Sequence, residues 1–212
     1  MKISRVIISI TLPIFLIMLF ASLLTTKQYL LVSEGLYESH DDITFDHEYV
    51  SDRVMGYLNY RYDSLDIGPR EGEEDLFRPI ELRHMKDVKD LYTMLRLVAI
   101  GSLFVAVSLS YIMYRKDKGN FFKTYKRLYY GPMFFIIVLG SYILIDFNGI
   151  FRLFHELFFT NDEWRLYSTD ALIQLLPTNF WMVSAGIILL LFALSLALIN
   201  RIFLKIERKQ ST

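Results

Sequence analysis

The chain has 212 residues, 53% hydrophobic and 22% charged, with 23 basic and 23 acidic side chains and no cysteine. The missing cysteines exclude a disulfide framework and a thiolate nucleophile. Length allows one compact unit, and the hydrophobic residues fall in long runs separated by charged segments, as a membrane protein requires.

Crossing the hydrocarbon of a bilayer takes ~20 mostly apolar residues in a helix. The first such run covers residues 6–24. Its apolar core is long and Ala21-Ser22-Leu23 makes a poor cleavage site, so a retained anchor is expected rather than a signal peptide. Residues 30–37 read either as a strand or as an extension of that helix. Residues 46–60 carry Val50, Val54, Tyr57 and Leu58 at helical spacing, which predicts a short amphipathic helix on the membrane or on the bundle. Residues 63–75, rich in acids with Gly68-Pro69 and Gly72, read as a loop. Residues 76–81 read as extended, with Pro79 a non-helical start. His84 then opens a helix whose apolar face (Val88, Leu91, Tyr92, Leu95) leads into a second span at 95–114.

A third span is expected at 128–145 and a fourth at 181–199. Between them Asn148-Gly149 breaks or bends the chain. Residues 150–159 are apolar except Arg152, His155 and Glu156, whose i, i+3, i+4 spacing makes one polar stripe facing protein or a wet cavity. Residues 160–164 form a turn, and Thr169 caps a helix over 170–176 that Pro177 helps to end. Gly101, Ser102, Ser108, Gly140 and Ser141 are small residues that would let spans approach closely.

Basic residues set the orientation. Arg115, Lys116, Lys118, Lys123, Lys126 and Arg127 crowd the loop at 115–127 against one acid, Asp117; Lys2 and Arg5 precede the first span, and Arg201, Lys205, Arg208 and Lys209 follow the last. Both termini and that loop are therefore expected in the cytoplasm. Residues 25–94 and 146–180 are then extracellular, with Trp164 and Trp181 near the boundary where indoles prefer to sit. Residues 25–90 hold 16 acids and 8 bases, so the neutral total hides a net −8 on this side. The expectation is an all-α membrane protein, a four-transmembrane-helix bundle in one membrane domain with a small mixed extracellular cap. The basic loop is explained by topology and anionic lipid, so no nucleic acid partner is expected.

His84 and His155 each adjoin a span on the predicted outer side. Ionisable groups at the edge of the hydrocarbon are costly and therefore functional candidates; the alternative is an imidazole satisfied at the interface. His40 and His47 lie in an acidic segment, HDDITFDH, whose spacing matches no specific metal site, and a solvated loop is the better reading.

The order of HMKDV at 84–88, FHELFFTNDEW at 154–164 and DALIQLLP at 170–177, set among four spans, resembles the bacterial integral membrane family of the lipoprotein intramolecular transacylase (Lit) over nearly the whole chain. The resemblance implies plasma-membrane localisation with an outward-facing site. Its substrate would be a diacylated bacterial lipoprotein, with membrane lipids as surroundings. The reaction it implies moves the sn-2 acyl chain of the S-diacylglyceryl cysteine to the cysteine α-amino group, leaving a lyso-form lipoprotein. It also implies that two histidines, matching His84 and His155, carry the chemistry.

The chemistry is sound on first principles. The amine has an ordinary pKa of ~7.7–8.0, so a useful fraction is neutral. Attack closes a ring of about eight atoms, which the enzyme must favour by holding one conformer. An imidazole, ordinary pKa ~6.5, suits both proton steps, and no metal or other cofactor is required. Position at a helix start slightly favours His84 as the base.

Asp87 either orients His84 or is a first-turn acid; Arg152 either stabilises an oxyanion or pairs with Glu156. Asn161 and Trp164 either shape the head-group pocket or are a turn residue and a belt indole. Asp170 reads as a helix-start acid. A monomer is expected. The alternatives are a non-catalytic sensor or envelope assembly partner, and an intermolecular acyltransferase or lipid hydrolase. An ordinary lipase is disfavoured because no G-x-S-x-G elbow is present.

Overall fold

The computed structural model describes residues 2–36, 45–65, 67 and 75–210. Among these, every regular element is helical: α1 (Lys2–Leu24), α2 (Lys27–Ser33), α3 (His47–Leu58), α4 (Pro79–Lys116), α5 (Lys118–Leu128), α6 (Tyr130–Ile145), α7 (Phe147–Phe158), α8 (Ala171–Leu175) and α9 (Thr178–Gln210). Four helical stretches are long and apolar enough to cross a membrane: Lys2–Leu24, Pro79–Lys116, Lys118–Ile145 and Thr178–Lys209. Only 17–22% of their most apolar windows is buried, so most of their surface is left to lipid.

The chain divides into two compact units, Met1–Ala21 with Leu95–Leu144 and Gly186–Thr212, and Ser22–Met94 with Ile145–Ala185. The first, the span unit, packs Ile8, Leu16, Met113, Phe121, Phe122, Tyr125, Leu128, Phe192 and Leu196 into its core. On α4 the buried face here begins with Ala99, Ser102 and Ala106, small residues that permit close helix approach. Of the small residues expected between spans, Ser102 is buried, Gly140 lies near the Leu189 side chain, and Gly101 has open space beside it. Amphipathic α5 buries Phe121, Phe122, Thr124, Tyr125 and Leu128 and exposes Lys123.

The second unit, which carries the candidate site, is built on Leu30, Val50, Val54, Met55, Tyr57, Leu58, Leu65, Phe77, Met85, Leu172, Leu175, Leu176 and Phe180. Helix α3 forms where the spacing of Val50, Val54, Tyr57 and Leu58 predicts it, and that face fills this core. Asp46 caps it, accepting from Tyr49 N at 3.0 Å.

Several local expectations change. No strand occurs among the described residues, including those of the segments expected to form a mixed cap. In the segment read at 30–37 the described residues, 30–36, are the end of helix α2 and a 3-10 turn at Glu34–Leu36, because Thr26 caps a new helix and Leu30 and Ser33 share its buried face. At 76–81 the chain is not extended to its end. Pro79 is the first helical residue of α4, a position where its missing N–H costs nothing. Asn148-Gly149 does not break the chain; the break is at Asp146, whose carboxylate caps α7 by accepting from Gly149 N at 2.8 Å. Helix α8 is capped at Asp170, not Thr169. The loop read at 63–75 has no regular structure at 63–65 and 75; residues 66 and 68–74, like His40, lie outside the described residues.

Candidate active site

Helix α4 carries His84 in its second turn, beyond Pro79, so it does not open the helix as its sequence suggests. Helix α7 carries His155 near its C-terminal end. Both side chains are buried, each residue 7% exposed, in the same unit. Their ring centroids lie 5.9 Å apart with planes at 34°.

The surroundings are aromatic. Phe159 meets His84 edge-on at 5.3 Å and His155 at 5.6 Å. Phe151 lies 4.3 Å from His155, Trp164 4.9 Å, and Phe154 packs edge-on at 5.5 Å. His155 Nδ1 is 2.6 Å from the Phe151 carbonyl oxygen. A carbonyl only accepts, so Nδ1 carries the proton and Nε2 holds the lone pair of the neutral ring. Burial pushes the His155 imidazole below its ordinary value, and the bond to Phe151 partly offsets this. His84 Nδ1 is buried with no hydrogen-bond partner. A buried polar atom left unpaired is costly, so this nitrogen is open to a partner from water or a bound molecule.

The supporting residues divide. Asp87 Oδ2 accepts from Asn161 Nδ2 at 2.8 Å rather than from His84. Asn161 Oδ1 accepts from Glu163 N at 3.0 Å, and Arg83 Nε is 2.6 Å from Glu163 Oε1. Asp87 and Asn161 thus tie the 160–164 turn to α4, and the turn lays Trp164 on His155. Arg152 is exposed, and among the described residues it bonds neither histidine nor Glu156. The expected polar stripe therefore splits, His155 inward and Arg152 and Glu156 outward. His47, the other described histidine, is 3.0 Å from Glu34 and away from the pair.

Sequence reasoning passed over Glu81, and it read Asp170 as a helix-start acid, which the N-cap of α8 is, without its ion pair to Arg78. Glu81 is fully buried, at 0% exposure. Its Oε2 accepts from Arg78 N at 2.8 Å and its Oε1 from Leu172 N at 2.8 Å. Asp170 accepts from Tyr167 N at 2.7 Å and from Arg78 Nη2 at 2.5 Å. The signal for Glu81 is local: with proline as first helical residue, an acid two positions on can reach back to the capping residue's N–H.

Fold and site together define an all-helical, multi-pass membrane protein with a buried pair of imidazoles. The sequence profile described as lipoprotein intramolecular transacylase Lit matches residues 3–181, and the chain belongs to this family, whose name makes it a transacylase. The in meso structure of the membrane integral lipoprotein intramolecular transacylase Lit from Bacillus cereus superposes with a TM-score of 0.77 at 22% identity, over 100% of this chain and 98% of that one. Variants of that protein with one histidine replaced by arginine or by alanine give TM-scores of 0.71 at 21% identity. The arginine variant covers 99% of this chain and 93% of its own, the alanine variant 100% and 96%. At this identity the likeness is one of fold. Among curated proteins no match is found.

Proposed function

We propose that this chain transfers the sn-2 acyl chain of a lipoprotein's S-diacylglyceryl cysteine to the α-amino group of the same cysteine, with His84 and His155 at the reacting centre. The observation that supports it is the meeting of the two buried rings at 5.9 Å, one with a fixed lone pair and the other with an unpaired nitrogen. The neutral amine attacks the ester carbonyl carbon. Its proton passes to His155 Nε2 as the tetrahedral centre forms. His84 faces the developing oxyanion, to which a ring N–H can donate. The bond from that carbon to the glyceryl sn-2 oxygen then breaks, and the proton on His155 moves to the departing oxygen. One amide forms, one ester is lost, one hydroxyl appears, and no other reactant enters.

The helix-start argument for His84 as base loses its ground, since the dipole's influence fades beyond the first turn. The tautomer of His155, which leaves Nε2 its lone pair, supports that residue as the base. Asp87, Asn161 and Trp164 hold the wall of the site. The basic loop at 115–127 supports termini in the cytoplasm and a site facing the exterior of the plasma membrane.

The test uses purified protein in phospholipid vesicles with a synthetic S-diacylglyceryl lipopeptide labelled in its sn-2 acyl chain. The expected product carries the label as an amide on the same peptide, at unchanged total mass. A hydrolase would release one labelled acid, an outside donor would add an unlabelled acyl group, and a sensor would change nothing; each result would contradict the proposal.

A further inference from the structure

Glu81 holds an unusual place. It is an acid buried to 0% exposure, yet it meets neither imidazole nor any metal ligand, and both its oxygens accept from backbone amides. One amide is Arg78 N, at the start of its own helix, the usual reach of an acid in a capping box. The other is Leu172 N, in the first turn of α8 and 91 positions away in the chain. That amide is ordinarily satisfied by the helix's own capping residue. Here the capping residue is Asp170, and its side chain makes no such bond, having turned to Arg78 and Tyr167. Glu81 therefore caps α8 from outside, while Arg78 and Asp170 close the same junction with an ion pair of 2.5 Å.

The junction joins the two strands of chain that carry the imidazoles. His84 follows Glu81 by three residues and lies on the same helix face. From His155 the chain runs through Phe159, which touches both imidazoles, and Trp164, which stacks on His155, before reaching α8. We infer that Glu81 is a positioning residue for the histidine pair, fixing α4 against the 159–172 segment and so setting the separation of the two rings. Its role in turnover rests on the transacylase reading; its effect on ring placement does not.

Glu81→Gln keeps the shape but replaces one acceptor oxygen with an NH2 facing an N–H, so one of the two amides loses its partner. Glu81→Asp keeps the charge but is too short to reach both, and serves if the glutamine variant fails to fold. Val54→Ala, a truncation in the same core but on α3, is the control for lost thermal stability away from the junction. Turnover is measured per folded molecule on the labelled lipopeptide, and ring signals by NMR of protein carrying 15N in its 4 histidines. We expect Glu81→Gln to lower kcat about tenfold to a hundredfold with KM unchanged, the scale set by small misplacements of reacting groups. It should also move the ring signals of both His84 and His155, while Val54→Ala leaves kcat and both signals in place. Unchanged turnover and rings in the Glu81 variants, or changes that only match Val54→Ala, would overturn the inference. If the unaltered protein forms no amide product while the ring signals still respond to Glu81→Gln, the transacylase reading falls and the positioning role stands.

Discussion

His155 is held in one tautomer by the Phe151 carbonyl and kept from charging by burial. Its neutral form is the one that takes a proton, so His155 stays competent as pH falls through ~6.5, the ordinary imidazole value, and the single acid limb of the rate belongs to the substrate amine, whose ordinary value is ~7.7–8.0. A pH–rate profile on the lipopeptide checks this; a limb that steepens to two protons at or above ~6.5 would contradict it. Stability runs the same way. The unfolded chain binds a proton on this histidine at a higher pH than the folded one, so its contribution is complete above ~6.5 and declines as pH falls toward the depressed folded value. Titratable residues were legible in the sequence where the membrane edge made them conspicuous, as with His84 and His155. Residues whose role depends on a distant partner were not: Asp87 faces Asn161 and Glu81 faces Leu172, pairings that no spacing rule reveals.

At the scale of elements, the apolar runs that predict four spans are the helices that form, because length and hydropathy decide them locally. Helix starts were less legible. Pro79 reads as an interruption, yet proline suits the first helical position, and α4 begins five residues before His84. The stripe on α7 splits because this helix buries only His155, which lies at the edge of the stripe, and leaves Arg152 and Glu156 exposed. A short helix of this kind leans on its cap and its packing. Asp146→Ala should therefore cost about 1 kcal/mol, within the range of lost N-caps, read as a shifted midpoint of denaturant unfolding in micelles. Gly149 reinforces the point, since a Cβ there would collide with the Asp146 side chain. No change in midpoint for Asp146→Ala would show that packing alone holds α7.

For the whole molecule, charge asymmetry is the feature that composition hides. Acids gather in 25–90 and bases in 115–127, and the bases are the reason to expect the first outside and the second inside. Because the chain lacks cysteine, single cysteines report topology without background. A membrane-impermeant maleimide on intact cells should label Asp63→Cys and spare Lys123→Cys, both at exposed positions; the reverse pattern would invert the protein. The catalytic account stands on both imidazoles serving one reaction. It is tested most directly by fragment-ion mass spectrometry of a lipoprotein N-terminus from cells making the unaltered chain, His84→Ala or His155→Ala, each at equal membrane abundance. Fragmentation is needed because the transfer leaves total mass unchanged. The account predicts N-acyl S-monoacylglyceryl cysteine with the unaltered chain and a free amine with both acyl chains on glycerol in each variant; persistence of the N-acyl form in either variant would contradict it.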